Sequence, residues 1–305
     1  MNIRLILCGL AASAALCTIS VTARAQIFVA NFGNGTIGEY NATTGATINS
    51  ALVSGLNGAE GLALSGGNLF VANVDGNTVG EYTTSGATVN PALIVTPGPY
   101  GIAFSGANVF VTNFFAGTVG EFNATTGLPI NPLFITGLSQ PRGIAVSGGN
   151  LFVTNFPNNT ISEYNATTGA LINPAFVSTG LNYPGALAFS GGNLLVANLD
   201  GGNIGEYSAT TGATINPAFI PGLNDPQGIA ITGGNLFVTN VVGSTIVEYS
   251  ATTGAPINPA FISSGLNQPV GIVVISSSSV PDTGTTFFLF GLSLMGLALV
   301  RRKLC

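Results

Sequence analysis

Histidine does not occur anywhere in the 305 residues, and charged residues make up only 6% of them. Without His the chain lacks the side chain that most often serves as general base near neutral pH. Cysteine is equally scarce: Cys8 and Cys17 lie near the N-terminus and Cys305 is the last residue, so the long stretch between them holds neither a disulfide nor a Cys nucleophile. Cations are almost missing too. Between residues 26 and 279 stands one, Arg142, against seven Glu and three Asp, a formal charge of −9. That balance excludes nucleic acid as a partner, because phosphate binding needs clustered Lys and Arg. Ser and Thr are plentiful but have no base beside them, so no catalytic residue and no cofactor is expected. A domain of this kind depends on its core, and about 250 residues rich in Val, Ile, Leu and Phe are enough to bury one.

What is present at the two ends reads as targeting. Arg4, an apolar stretch from Leu5 to Val21, and Ala23-Arg24-Ala25 form a signal peptide over 1–25, with the mature chain starting at Gln26. The alternative is an uncleaved membrane helix, but nothing after Gln26 continues the apolar run. At the other end a Ser-rich linker leads into Val280-Pro281-Asp282-Thr283-Gly284, an uncharged run from Phe287 to Val300, and Arg301-Arg302-Lys303. This predicts a linker and sorting motif over 276–285 and a transmembrane helix with a basic stop over 286–305. By length alone the run could be a buried core helix; its place after the last repeat and before three cations favours the membrane. The tail resembles the PEP-CTERM sorting signals that exosortases process in Gram-negative bacteria, in a Val-Pro-Asp-x-Gly variant. The resemblance implies an exosortase-type partner, an inner-membrane tether through the C-terminal helix, and delivery to the cell surface or extracellular space.

Between these signals the chain repeats. A Phe-Val-Ala/Thr-Asn motif places its Asn at Asn31, Asn73, Asn113, Asn155, Asn198 and Asn240, and a Glu-Tyr/Phe pair keeps the same period of 40 to 43 residues. In the unit beginning at Pro141, Pro-Arg-Gly-Ile-Ala-Val-Ser and Asn-Leu-Phe-Val-Thr-Asn are two strands joined by Gly148-Gly149. Thr-Ile-Ser-Glu-Tyr makes a third, and Leu-Ile-Asn-Pro-Ala-Phe-Val a fourth whose Pro174 assigns it to an edge. Four short strands per repeat predict an all-β, six-bladed β-propeller over 26–275. The chain starts on a second strand, Ile27 to Asn31, and ends on a first, Pro269 to Ile275. Pairing the C-terminal first strand with the three N-terminal strands closes the ring and removes open edges.

The segment from Pro141 to Asn155, followed by Thr160-Ile-Ser-Glu-Tyr, looks like an NHL-type repeat. The wider superfamily includes six-bladed lactonases, which implies a divalent metal in the central channel held by Glu, Asn and Asp. The residue between Pro and Gly should lie at the channel mouth, giving Glu60, Tyr100, Arg142, Gly185, Gln227 and Val270 around the ring. Glu60 is the one anionic candidate there, with Gly185 and Gln227 where Asn and Asp would be wanted, and a hard cation needs several oxygen ligands. No metal site is therefore predicted. Glu60 and Arg142 could pair across the channel, bind a polar ligand with Tyr100 and Gln227, or remain solvated loop charges.

Two recurring sets read as structural. The six Glu before the third-strand aromatic, Glu39, Glu81, Glu121, Glu163, Glu206 and Glu248, should accept hydrogen bonds from Thr or backbone groups. The six Asn after the second strand should cap loops. Variation concentrates in the loops that follow, where Phe32, Phe114, Phe115 and Phe156 stand among Asn and Asp and share a face with Tyr100 and Tyr183. Such aromatics suit sugar or peptide surfaces, or simply pack the loops. The expectation is a non-catalytic surface or matrix module, either binding exopolysaccharide or another exported protein or serving as a passive structural unit, with a metal-dependent lactonase-like hydrolase as the alternative.

Overall fold

The computed structural model describes residues 25–276. Residues 1–24 of the expected signal peptide, the sorting motif at 280–284, the helix expected over 286–305 and its cations at 301–303 lie outside the described residues. Among the described residues no helix is long and apolar enough to cross a membrane.

The described residues form 24 strands, β1 to β24 in chain order, in six four-stranded antiparallel sheets. Five blades are continuous: β4–β7 (59–95), β8–β11 (99–135), β12–β15 (141–177), β16–β19 (184–220) and β20–β23 (226–262). The remaining one joins β24 (Pro269–Ile275) to β1 (Gln26–Asn31), β2 (Thr36–Asn41) and β3 (Thr47–Val53), with Gln26 opposite Ile275 and Val29 opposite Ile272. The first strand of each blade packs against the first strands of both neighbours, from β24 through β4, β8, β12, β16 and β20 back to β24. These six strands surround the axis, and the propeller is closed.

Local chemistry explains each blade. Gly148-Gly149 adopts φ of 58° and 81°, the two left-handed positions that a tight hairpin between β12 and β13 demands. Second strands such as β13 (Asn150–Asn155) are buried along nearly their whole length. Between blades they stack with apolar residues of the next sheet; Phe110, Val119 and Phe134 meet Ile144, Leu151 and Val153, and the closing contact sets Ile27 and Val29 against Phe237 and Ile246. Fourth strands are exposed edges, as Pro174 in β15 (Leu171–Val177) foretells. In all six, an Asn side chain accepts a hydrogen bond from the backbone N–H two residues on, as Asn173 does from Ala175 at 3.1 Å. The ladder to the third strand shifts register there, which breaks the flat edge another chain could pair with.

The recurring Glu differ from expectation in their partner. Glu81, Glu121, Glu163, Glu206 and Glu248 each accept from the amide of the Asn that opens the second strand, at 2.6 to 2.7 Å, and Glu39 accepts from Gln26 in the same way. The two residues are diagonal neighbours on one sheet face, so side-chain alternation, rather than a nearby Thr or backbone group, selects the pair. The buried Asn after the second strand cap loops in four blades, whereas Asn113 accepts from the Thr96 hydroxyl and Asn73 Oδ1 has no hydrogen-bond partner. The loop in question is the one leading into the same blade: Asn155 accepts from Ser139 N, Asn198 from Asn182 N and Asn240 from Asn224 N.

What brings the inner strands together is glycine. A methyl group on Gly61, Gly101, Gly143, Gly228 or Gly271 would lie 2.0 to 2.4 Å from the carbonyl oxygen of the mouth residue in the next blade. In three blades the Thr of the Phe-Val-Thr-Asn motif ties the same contact. Thr154 Oγ1 accepts from Gly143 N at 2.8 Å and donates to Gly185 O at 3.1 Å; Thr112 and Thr239 repeat the pattern toward Arg142 O and Val270 O. Gly228→Ala should cost about 1–3 kcal/mol by overpacking, and Thr239→Val about 1–3 kcal/mol by leaving buried polar groups unmet. Denaturant unfolding of the mature chain checks both, and unchanged midpoints would mean that the inner ring is not packed at these contacts.

Candidate functional site

The mouth of the channel is built by the second residue of each first strand. Glu60, Tyr100, Arg142, Gly185, Gln227 and Val270 all line one axial cavity of about 460 Å³, whose deeper wall is aliphatic. Each is preceded by a buried Pro, or by Ala59 in the β4 blade, and before that by a residue with positive φ: Gly58, Gly98, Gln140, Tyr183, Asp225 or Gln268. Four of these six are not glycine, and left-handed backbone costs such residues on the order of 1 kcal/mol each. The strained turns aim the first strands, and so the mouth side chains, at the axis.

Two mouth residues meet across the opening. Tyr100 and Gln227 come from blades on opposite sides of the ring, and the Tyr100 hydroxyl donates to Gln227 Oε1 at 3.2 Å. Tyr100 stacks on Phe114 with ring centroids 5.6 Å apart. Arg142 lies among aromatic faces, its guanidinium carbon 3.6 Å from the Phe156 centroid, 5.0 Å from Tyr100 and 5.4 Å from Phe114. Its Nε and Nη1 are buried and make no hydrogen bond. The one cation of the domain is therefore held by π faces and not by a carboxylate hydrogen bond at those nitrogens.

Glu60 is 9% exposed, so it is no solvated loop charge. Burial pushes its carboxyl up to about 7, opposed by the Arg142 charge and the Tyr100 hydroxyl and reinforced by Asp75. The Tyr100 hydroxyl is itself pushed well above its ordinary value by burial and the Glu60 charge. Asp225 is raised by burial, against the pull of Arg142.

The mouth does not fit the divalent metal of lactonase-like propellers. Its donor set contains one carboxylate beside a guanidinium with unmet donors, and among the described residues no three His, Cys, Asp or Glu converge. A hard cation wants several anionic oxygens and would be repelled by Arg142.

The variable loops divide. Phe114 and Phe156 are packed, the second edge-to-face with Tyr183 at 4.8 Å, and both serve Arg142. Phe115 and Phe32 stay exposed, at 69% and 37%. The aromatic bed of Arg142 is not visible in the sequence, because Tyr100 on β8 and the loop residues Phe114 and Phe156 are separated along the chain; one signal was available, the coincidence of the domain's sole cation with the two adjoining repeats that carry those Phe residues.

Residues 279–304 match the VPDSG-CTERM motif. Among solved structures, a chain in the crystal structure of a nidogen/laminin complex superposes with a TM-score of 0.70 at 17% identity, covering 83% of this chain and 99% of that one. That likeness shows the propeller fold. The computationally designed Ika8 protein superposes with a TM-score of 0.48 at 17% identity, over 77% of this chain and 71% of that one, too loosely to carry an argument. No curated protein matches the sequence. The chain thus joins a six-bladed propeller to a C-terminal sorting signal, which implies export and processing by an exosortase-like system.

The buried carboxyl at the mouth sets a pH dependence. Its folded pKa of about 7 lies above the ordinary 4.5, so between these values the native state holds the proton more tightly than the unfolded chain. Stability present below pH 4.5 is lost as pH rises through 7, by at most about 3 kcal/mol. Glu39, Glu121, Glu248 and Asp225 shift in the same direction. Glu60→Gln should flatten most of this slope in unfolding measured from pH 4.5 to 8; an unchanged slope would place the titration elsewhere.

Proposed function

We propose that the chain is an exported, non-catalytic binding module of NHL-type repeats, presented at the cell surface or in the extracellular matrix. The observation that carries this reading is a recognition group without a reaction centre. Arg142, Tyr100 and Gln227 converge at the mouth, while His, Cys and a second mouth carboxylate are missing. The sorting signal at 279–304 supports the location. Cleavage after Ala25 and a tether through 286–305 complete the route.

The closing strand supports an orientation as well. Val270 stands at the mouth end of β24, whereas Ile275 at the far end pairs with Gln26. Both chain ends therefore leave from the face opposite the mouth, and a tail anchored there directs the mouth and variable loops outward. Exposed Phe115 and Phe32 on those loops suit stacking against sugar rings, which makes exopolysaccharide the leading partner and an exported protein the next.

Two measurements test this. The mature chain 26–279 should bind bacterial exopolysaccharides on a glycan array, with Phe115→Ala weakening the signal about fivefold through a lost stacking contact of about 1 kcal/mol; no signal would count against a glycan ligand. Deleting 279–304 should abolish surface placement in fractionated cells, and retention at the surface without it would overturn the sorting step.

A further inference from the structure

The channel carries a charge without an acceptor at the head of an apolar shaft. Its wall below the mouth is Leu62, Ile102, Ile144, Leu187, Ile229 and Ile272, and its volume of about 460 Å³ falls in the range of small-molecule sites. At the head, the Arg142 guanidinium has two buried nitrogens with no hydrogen-bond partner. Aromatic faces offset part of the cost of its charge, but they accept nothing in the plane of the guanidinium. The Tyr100 ring adjoins it, and the Tyr100 hydroxyl and the Gln227 amide, bonded to each other, supply further hydrogen-bonding groups at the mouth. A carboxylate at this point would neutralise the cation, and the wall beneath would take an apolar body.

We propose that the channel binds a small monocarboxylate with an apolar body, its carboxylate at Arg142 beside Tyr100 and Gln227 and its body along the aliphatic shaft. This rests on the mouth being a ligand site, though not on any glycan bound by the loops. An acidic sugar fits less well, since the side chains of the shaft are aliphatic and offer its hydroxyls no hydrogen-bonding groups. A polyanion would meet Glu60 at the mouth and the charges of Asp75 and Asp225, which act on Glu60 and Tyr100 from outside the cavity lining. Glu60 can accommodate one added negative charge by holding its proton, because burial already favours its neutral form. Affinity should therefore fall as pH rises through about 7, and Glu60→Gln should remove that dependence.

Calorimetry of the mature chain at pH 6 with hexanoate, hexanol and glucuronate separates the elements of the proposal. Hexanoate should bind at least about tenfold more tightly than hexanol, the contribution of a charge-assisted contact, and at least about tenfold more tightly than glucuronate, whose hydroxyls must be desolvated against the aliphatic shaft. Arg142→Gln should abolish that preference while leaving hexanol unchanged. Should that variant fail to fold, the pH series on the natural chain and on Glu60→Gln gives the independent reading. Equal affinity for hexanoate and hexanol would overturn the carboxylate, and tighter glucuronate would overturn the apolar body. No heat with any of the three at about 10 mM would overturn the site itself. That last result leaves a positive glycan array standing, just as hexanoate binding would survive a blank one.

Discussion

The inner ring depends on six first strands approaching so closely that a glycine of one blade rests on a backbone carbonyl of the next. Five such contacts leave no room for a side chain, and the closing one sets Gly271 against Glu60 across the seam between the last strand and the second blade. In the β16 blade Ala186 takes the glycine position. The approach has two consequences. It fixes the distance between blades, so that apolar second strands can stack into continuous inter-blade clusters. It also fixes the position of the carbonyl on which each glycine rests, and that carbonyl belongs to the mouth residue.

The mouth is therefore rigid in its backbone and free in its side chains. Repetition determines where the six side chains stand, and substitution within the repeat determines what they are. Gly185 withdraws on one side, and the ring of Tyr100 extends far enough to meet Gln227 from the opposite blade. Arg142 stands between them on three aromatic faces, its backbone carbonyl held by Thr112. An acidic domain thus places its one cation at the channel mouth with two guanidinium nitrogens shut off from water. The same desolvation keeps Glu60 protonated into the neutral range, so the mouth carries less negative charge than its composition suggests.

Much of this was legible in the chain. The 40- to 43-residue period, the Gly-Gly hairpins, the Pro in each later fourth strand and the phase of the ends specify a closed six-bladed ring, because each states a backbone requirement that few residues meet. The column between Pro and Gly located the mouth for the same reason. Partners that depend on side-chain direction were less visible. Glu163 and Asn150 lie 13 residues apart and meet only because a hairpin makes them diagonal neighbours. The Ala/Thr alternation in the second-strand motif has a meaning only in the closed ring, where Thr154 joins two blades.

The sequence by itself determined the architecture, the seam at β24 and β1, the C-terminal sorting signal and the identity of the six mouth residues. These follow from periodicity and from backbone rules local to a few residues. Tertiary structure alone decided whether Glu60 and Arg142 were solvated, paired or buried apart, since burial is a property of the closed ring. It also decided that Arg142 is clasped by Phe156 of its own blade and by Phe114 and Tyr100 of the blade before it, because these rings are far apart in sequence and converge only when two neighbouring blades pack around a common axis.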